Sequence, residues 1–165
     1  MPTLAIMTRT AIVVFVLDQL TKLFVVQYLD LKTRQTIMVL DPFLNFRMAW
    51  NQGINFGIGA GLDMRWVLVG LALLISAWIV WWMRRDRPGL WVQMSAGLVL
   101  GGAIGNVIDR IVYGAVADFL NMACCGFENP WSFNVADISI FLGAIGLIFL
   151  TGEAPKDRDV EGGTG

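Results

Sequence analysis

The amino-acid sequence predicts an all-α integral membrane protein: four transmembrane helices with a small extracytoplasmic sheet resting on them. Three observations carry this. Of 165 residues, 56% are hydrophobic and only 15% charged, against roughly 45–50% and about 25% for a soluble domain. The apolar excess collects in runs that approach the roughly 20 residues a membrane helix needs. The positive charge is unevenly placed between those runs.

Span one covers about 8–28, through "TAIVVFVLDQLTKLFVVQY". A charged residue precedes this apolar run, as in a cleaved signal peptide. Asp18 and Lys22 interrupt it, however, and no small-x-small cleavage site follows, so it is read as a retained helix. Span two covers about 65–83, through "WVLVGLALLISAWIVWWM", and span three about 89–112, through "LWVQMSAGLVLGGAIGNVIDRIV". Span four covers about 134–150. The connection "RRDRPG" crowds Arg84, Arg85 and Arg87 between spans two and three, which places it on the cytoplasmic side. An even number of spans then puts both termini inside, in keeping with Arg9 at one end and Lys156 and Arg158 at the other. The segments between spans one and two and between spans three and four lie outside. Lys32, Arg34 and Arg47 in the first of them weaken the charge bias without reversing it.

The outer segment 29–64 contains "TIMVL" and "FLNFRMAW" with a Pro and an Asp between them. Their β-branched and aromatic content predicts strands. The stretch 153–165 is polar and Gly-rich and reads as a disordered cytoplasmic tail following a membrane domain over 1–152. No internal repeat is visible.

A net charge of −1 argues against nucleic acid as a partner. The chain has no histidine, which removes the commonest metal ligand and the usual general base near neutral pH. No metal or other cofactor is expected. Cys124 and Cys125 are adjacent; they read as ordinary loop residues, with a reversible redox pair as the alternative.

Charges inside membrane helices are costly, about 2.5–3.5 kcal/mol each on insertion scales, and they mark the interesting places. Asp18 and Lys22 stand one turn apart on one helix face, as an internal ion pair would. In "GGAIGNVIDR", Gly101, Gly102 and Gly105 remove bulk from span three, either for close helix packing or for the approach of a ligand. Asn106 and Arg110 follow on one face, with Asp109 placed to hold it. "GAVADFLN" puts Asp118 just after span three, and "FNVAD" puts Asp137 in the first turn of span four. Alone, Asp118 is a solvated loop residue and Asp137 a carboxylate favoured by a helix dipole. Together they return to one membrane level beside Asn106, Arg110 and Asn134. Two facing carboxylates do not both ionise readily; they share a proton, one acting as base and the other as acid. Such a pair can activate water against an amide without a covalent intermediate.

Five blocks in chain order, "DQLTK" at 18–22, "NQGINFG" at 51–57, "GGAIGNVIDR" at 101–110, "VADF" at 116–119 and "FNVAD" at 133–137, together resemble the lipoprotein signal peptidase (signal peptidase II) family. The resemblance implies an inner-membrane aspartyl endopeptidase of four helices with a β-cradle. It would cleave prolipoproteins just before a diacylglyceryl-modified cysteine, at a site on the periplasmic face. It implies that Asp118 and Asp137 form the catalytic dyad. Asn51, Asn106, Arg110 and Asn134 would line the site and hold substrate or the aspartates. Gly53 and the glycines of "GGAIG" would lie near the substrate channel, and Asp18 and Lys22 would give structural support. One departure is Asn55, where the family usually has a small residue before its Phe. Membrane lipid and the lipidated prolipoprotein are the expected partners, and a monomer the expected state. Two other classes compete: a small proton- or ion-coupled membrane transporter, which would spread its charges through both membrane halves, and an inactive membrane scaffold.

Overall fold

The computed structural model describes residues 4–41, 43–53, 63–124, 126 and 129–151. Asn55, Cys125 and the 153–165 tail lie outside the described residues.

Helix α1, Ala5–Lys22, runs directly into a π-helical segment, Leu23–Tyr28, and then a short helix α2, Leu31–Arg34. Strands β1, Thr36–Leu40, and β2, Leu44–Asn51, follow. Helix α3 is Met64–Asp86, α4 is Leu90–Tyr113, strand β3 is Val116–Met122, and α5 is Val135–Thr151. The four principal helices thus start and stop within about three residues of the expected spans. Three of them, α1 with its π-helical extension, α3 and α4, are long and apolar enough to cross a membrane; α5 is apolar and 17 residues long.

Helix α4 is the centre of the bundle and packs against α1, α3 and α5. The bulk of each outer helix face is apolar and exposed, as at Leu17, Leu20, Leu74, Trp78, Ile148 and Phe149. That inverted surface, apolar outside with charges within, is the signature of a chain solvated by lipid. Polar groups occupy the α1–α4 seam instead: the buried residues of α1 are Met7, Val14, Asp18 and Lys22, a single stripe.

The glycines of α4 make the seam possible. A methyl group at Gly101 would lie 2.5 Å from the Ala11 carbonyl oxygen, and one at Gly105 would lie 2.6 Å from Asp18 Oδ2. Of the two readings of these glycines, the described contacts support close helix approach.

The sheet sits at one end of the bundle, where α1 and α4 finish and α3 and α5 begin. It has three antiparallel strands in the order β1-β2-β3. Strands β1 and β2 coincide with the two expected segments. Strand β3 differs from expectation: Asp118 stands in a strand, 3% exposed, not in a solvated loop. Its neighbours explain why. Ala117 and Phe119 join Val25, Val26, Leu31 and Met48 in an apolar cluster that seats the sheet on the π-helical segment. Phe46 meets Phe119 edge-on with ring centroids 5.9 Å apart. The strand is buried on both faces from Val116 to Phe119.

Candidate active site

The site forms where β3 meets the first turn of α5. Phe133 makes an isolated bridge with Leu120, its N–H donating to the Leu120 carbonyl at 3.0 Å and its carbonyl accepting from Leu120 N–H at 2.8 Å. That bridge lands the next residue, Asn134, beside Asp118.

Asn134 is fully buried and touches both aspartates. Its Nδ2 donates to Asp118 Oδ1 at 2.6 Å, and its backbone N–H donates to Asp137 Oδ2 at 3.2 Å. Its Oδ1 accepts the Asp137 N–H at 2.9 Å. The last two bonds form a capping box in which Asn134 is the N-cap of α5 and Asp137 its third residue. The sequence "NVAD" therefore does two things: it starts a helix, and it hangs one carboxylate from the cap.

Each aspartate has a second amide. Asn51 Nδ2 donates to Asp118 Oδ2 at 3.1 Å. The Gly53 N–H donates to Asn51 Oδ1 at 3.0 Å, which turns the amide so that its nitrogen faces Asp118. Gly53 has φ +97°, a conformation that only glycine adopts freely. Asn106 Nδ2 donates to Asp137 Oδ1 at 2.9 Å.

Asp118 is an unusual acid. Burial pushes its carboxyl up from 3.8 to about 7; Asp137 pushes the same way, while the Asn51 and Asn134 amides and the Lys22 charge pull it down without prevailing. Asp137 is half-buried, so the two carboxyls differ in access to water.

Arg110 lies within electrostatic reach of Asp137, Asp118 and Asp109. Its Nη1 donates to the Asn106 carbonyl at 3.3 Å. Its Nε is buried with no hydrogen-bond partner among the described residues. Beside it, an apolar cavity of about 270 Å³ runs between α3, α4 and α5, lined by Leu68, Leu71, Ile75, Ala103 and Ile140 and ending at Asn106 and Arg110. A larger apolar cavity of about 760 Å³, between α1, α3 and α4, is lined by Gly101 but reaches none of the carboxylates, amides or Arg110 of the site.

Under the site lies a charged cluster. Lys22 Nζ is 2.8 Å from Asp18 Oδ2 and 2.7 Å from Asp109 Oδ2, and it donates to Asn106 Oδ1 at 3.3 Å. The sequence pairs Asp18 with Lys22; the third member, Asp109, comes in from α4. Gln19, which sequence reasoning passed over inside "DQLTK", donates through Nε2 to Asp18 Oδ2 at 3.1 Å and Asp109 Oδ1 at 3.2 Å. Its position next to Asp18 was the only available signal. Among the described residues, no group of three or more His, Cys, Asp or Glu side chains is arranged to hold a metal ion. Ten of the residues singled out from the sequence, Asn51, Gly53, Asn106, Arg110, Asp118, Asn134, Asp137, Asp18, Lys22 and Asp109, thus lie in one connected neighbourhood.

A membrane-helix bundle carrying buried carboxylates, amides and an arginine at one end defines a candidate functional centre in a membrane protein. Residues 10–151 match the family model of signal peptidase (SPase) II. The chain is 42% identical over 144 residues to a lipoprotein signal peptidase of Methylobacterium sp. (strain 4-46), covering 86% of each chain. It is 37% identical over 140 residues to that of Pseudomonas aeruginosa (strain UCBPP-PA14), covering 81% of this chain and 80% of the relative. A solved bacterial membrane enzyme, determined by the in meso method at 1.9 Å, superposes with a TM-score of 0.74 at 29% identity, over 89% of this chain and 92% of that one. The protein belongs to the signal peptidase II family, and is therefore a membrane peptidase.

Proposed function

We propose that this protein removes signal peptides from prolipoproteins by hydrolysing the bond before a diacylglyceryl-modified cysteine, with Asp118 and Asp137 as an aspartyl dyad. Family membership carries the coarser part, signal peptide removal from lipoproteins. The finer part rests on one observation above all: Asn134 hydrogen-bonds carboxylates from two separate elements, Asp118 on β3 and Asp137 on α5.

The dyad works in its singly protonated form. Asp118, whose burial favours the neutral acid, holds the shared proton. Asp137, half-buried, faces water and takes a proton from it as the water oxygen attacks the scissile carbonyl carbon. Asp118 gives its proton to the carbonyl oxygen. The tetrahedral intermediate then collapses: the proton held by Asp137 passes to the amide nitrogen, the C–N bond breaks, and the gem-diol proton returns to Asp118. Asn51 and Asn134 fix Asp118, and Asn106 fixes Asp137, so little reorganisation accompanies the charge shift. The buried Arg110 Nε is a donor for a substrate carbonyl. The apolar cavity that ends at Asn106 and Arg110 suits an apolar chain of the substrate whose polar end reaches the carboxylates.

All four helices, α5 included, span the bacterial inner membrane over a single domain of residues 1–152, with both termini and the 153–165 tail in the cytoplasm. Arg84, Arg85 and Arg87 at the α3–α4 connection support this orientation. The sheet then forms the periplasmic β-cradle, and water reaches the dyad from that side. The working unit is a monomer in contact with lipid.

The test uses purified protein and one prolipoprotein with and without its diacylglyceryl group. Cleavage of the lipidated form alone, with mass spectrometry giving a product that begins at the modified cysteine, is the expected result. Equal cleavage of both forms contradicts the stated substrate.

A further inference from the structure

The two carboxylates of the dyad end the same tripeptide, Val-Ala-Asp, at 116–118 and at 135–137. In both copies the alanine N–H, one residue before the aspartate, is held by a buried carboxylate from another helix. Asp109 Oδ2 accepts the Ala117 N–H at 3.1 Å. Asp18 Oδ1 accepts the Ala136 N–H at 2.9 Å. Both acceptors are 0% exposed.

Lys22 joins the two acceptors. An ammonium has three donors and no acceptor, and here the three partners are Asp18 Oδ2, Asp109 Oδ2 and Asn106 Oδ1. The third contact also reaches the dyad: with Asn106 Oδ1 turned to the ammonium, its Nδ2 faces Asp137 Oδ1. Gln19 Nε2 makes a second bridge between the two carboxylates. All four oxygens of Asp18 and Asp109 are thereby occupied, two of the contacts being the alanine N–H groups.

We infer that Asp18, Gln19, Lys22 and Asp109 are positioning residues that set the spacing of Asp118 and Asp137 by tethering the backbone immediately before each. The inference rests on the dyad reading above. Its physical content is specific. Strand β3 and helix α5 are separate elements, joined at the site by the Phe133–Leu120 bridge and Asn134, and a proton shared between two carboxyls tolerates little error in their separation. The cluster ties both peptide groups to one ammonium: each N–H donates to a carboxylate, and both carboxylates are held by Lys22 at 2.8 and 2.7 Å. Each of the two hydrogen bonds to carboxylate also satisfies a buried backbone N–H, so the positioning role is read in kcat per folded enzyme and not in stability.

The test measures kcat and KM on lipidated prolipoprotein, per folded enzyme, for wild type, Asp109→Ala, Asp109→Asn, Gln19→Met and Asp118→Asn. Asp109→Ala removes the Ala117 tether without touching any dyad side chain. The expected result is a fall in kcat of about 100-fold with KM within about threefold, the cost of misplacing reacting groups. Asp109→Asn, which restores an acceptor for the Ala117 N–H, recovers about tenfold of that loss. A kcat for folded Asp109→Ala within about twofold of wild type overturns the inference. If Asp109→Ala yields no folded protein, Gln19→Met decides, since it removes one bridge and leaves Lys22 in place: a loss in kcat of about tenfold at unchanged KM supports the inference, and an unchanged kcat overturns it. Full activity in Asp118→Asn overturns the dyad reading and this inference with it. Loss in Asp118→Asn beside full activity in Asp109→Ala overturns the inference alone.

Discussion

Asn134 and Asp137 cap helix α5 reciprocally, the Asn134 Oδ1 accepting the Asp137 N–H at 2.9 Å and Asp137 Oδ2 accepting the Asn134 N–H at 3.2 Å. A candidate catalytic carboxylate is thus also a helix-capping group. The cap orients it at no further cost in side-chain entropy, because the same two bonds serve both purposes.

The two duties of Asn134 are separable. Serine caps a helix about as well as asparagine, yet its hydroxyl is too short to replace the 2.6 Å bond from Asn134 Nδ2 to Asp118. Asn134→Ser keeps the cap and is expected to lose about 1–3 kcal/mol of unfolding stability, the cost of leaving the buried Asp118 carboxyl without this donor. Its activity should fall about 10- to 100-fold, the worth of a hydrogen bond to a charged group. Asn134→Ala should lose the same activity and about 1 kcal/mol more stability. Thermal unfolding in detergent beside a cleavage assay reads both.

Asp118 should make stability depend on pH with an unusual sign. Its carboxyl stands near 3.8 when unfolded and about 7 in the fold, raised first by burial and then by Asp137. Between those values the native state holds a proton that the unfolded chain has released. Unfolding free energy from this group therefore falls as pH rises from about 3.8 to about 7, and is flat above. Denaturant titrations across that window should show the slope in wild type and lose it in Asp118→Asn. Turnover should decline as pH rises through about 7, where the dyad loses its shared proton.

Gly105 tests the packing that carries the charged cluster. A methyl group there would meet Asp18 Oδ2 at 2.6 Å, and that carboxylate is held by Lys22, Gln19 and Ala136. Gly105→Ala is expected to lower stability by about 1–2 kcal/mol, overpacking outweighing the gain in helix propensity. Gly70→Ala is the control, since nothing lies within 4 Å of its added methyl; it should be neutral or slightly stabilising. Melting temperatures of the two variants decide the matter.

Much of this was legible in the chain because lipid makes patterns blunt. Long apolar runs gave the helices to within a few residues. "TIMVL" and "FLNFRMAW" announced β1 and β2 through their β-branched and aromatic residues. Strand β3 was not legible for a physical reason: Val116, Ala117, Asp118 and Phe119 are all buried, so the alternation that marks a half-exposed strand is missing. The aspartate among them looked like a loop charge. The Asp18–Lys22 pair shows in the sequence because it follows helix spacing. Its partner Asp109 does not, since only the close approach of α4 to α1 brings it there. Likewise, no sequence pattern reports that the N–H groups of Ala117 and Ala136 are the points being held.

The central claim is that Asp118 and Asp137 together cleave a lipidated prolipoprotein. The most direct measurement compares wild type, Asp118→Asn and Asp137→Asn in turnover of that substrate, normalised to folded enzyme. The account predicts that each variant folds and loses activity by about 1,000-fold or more. Either variant retaining activity within about tenfold of wild type contradicts it.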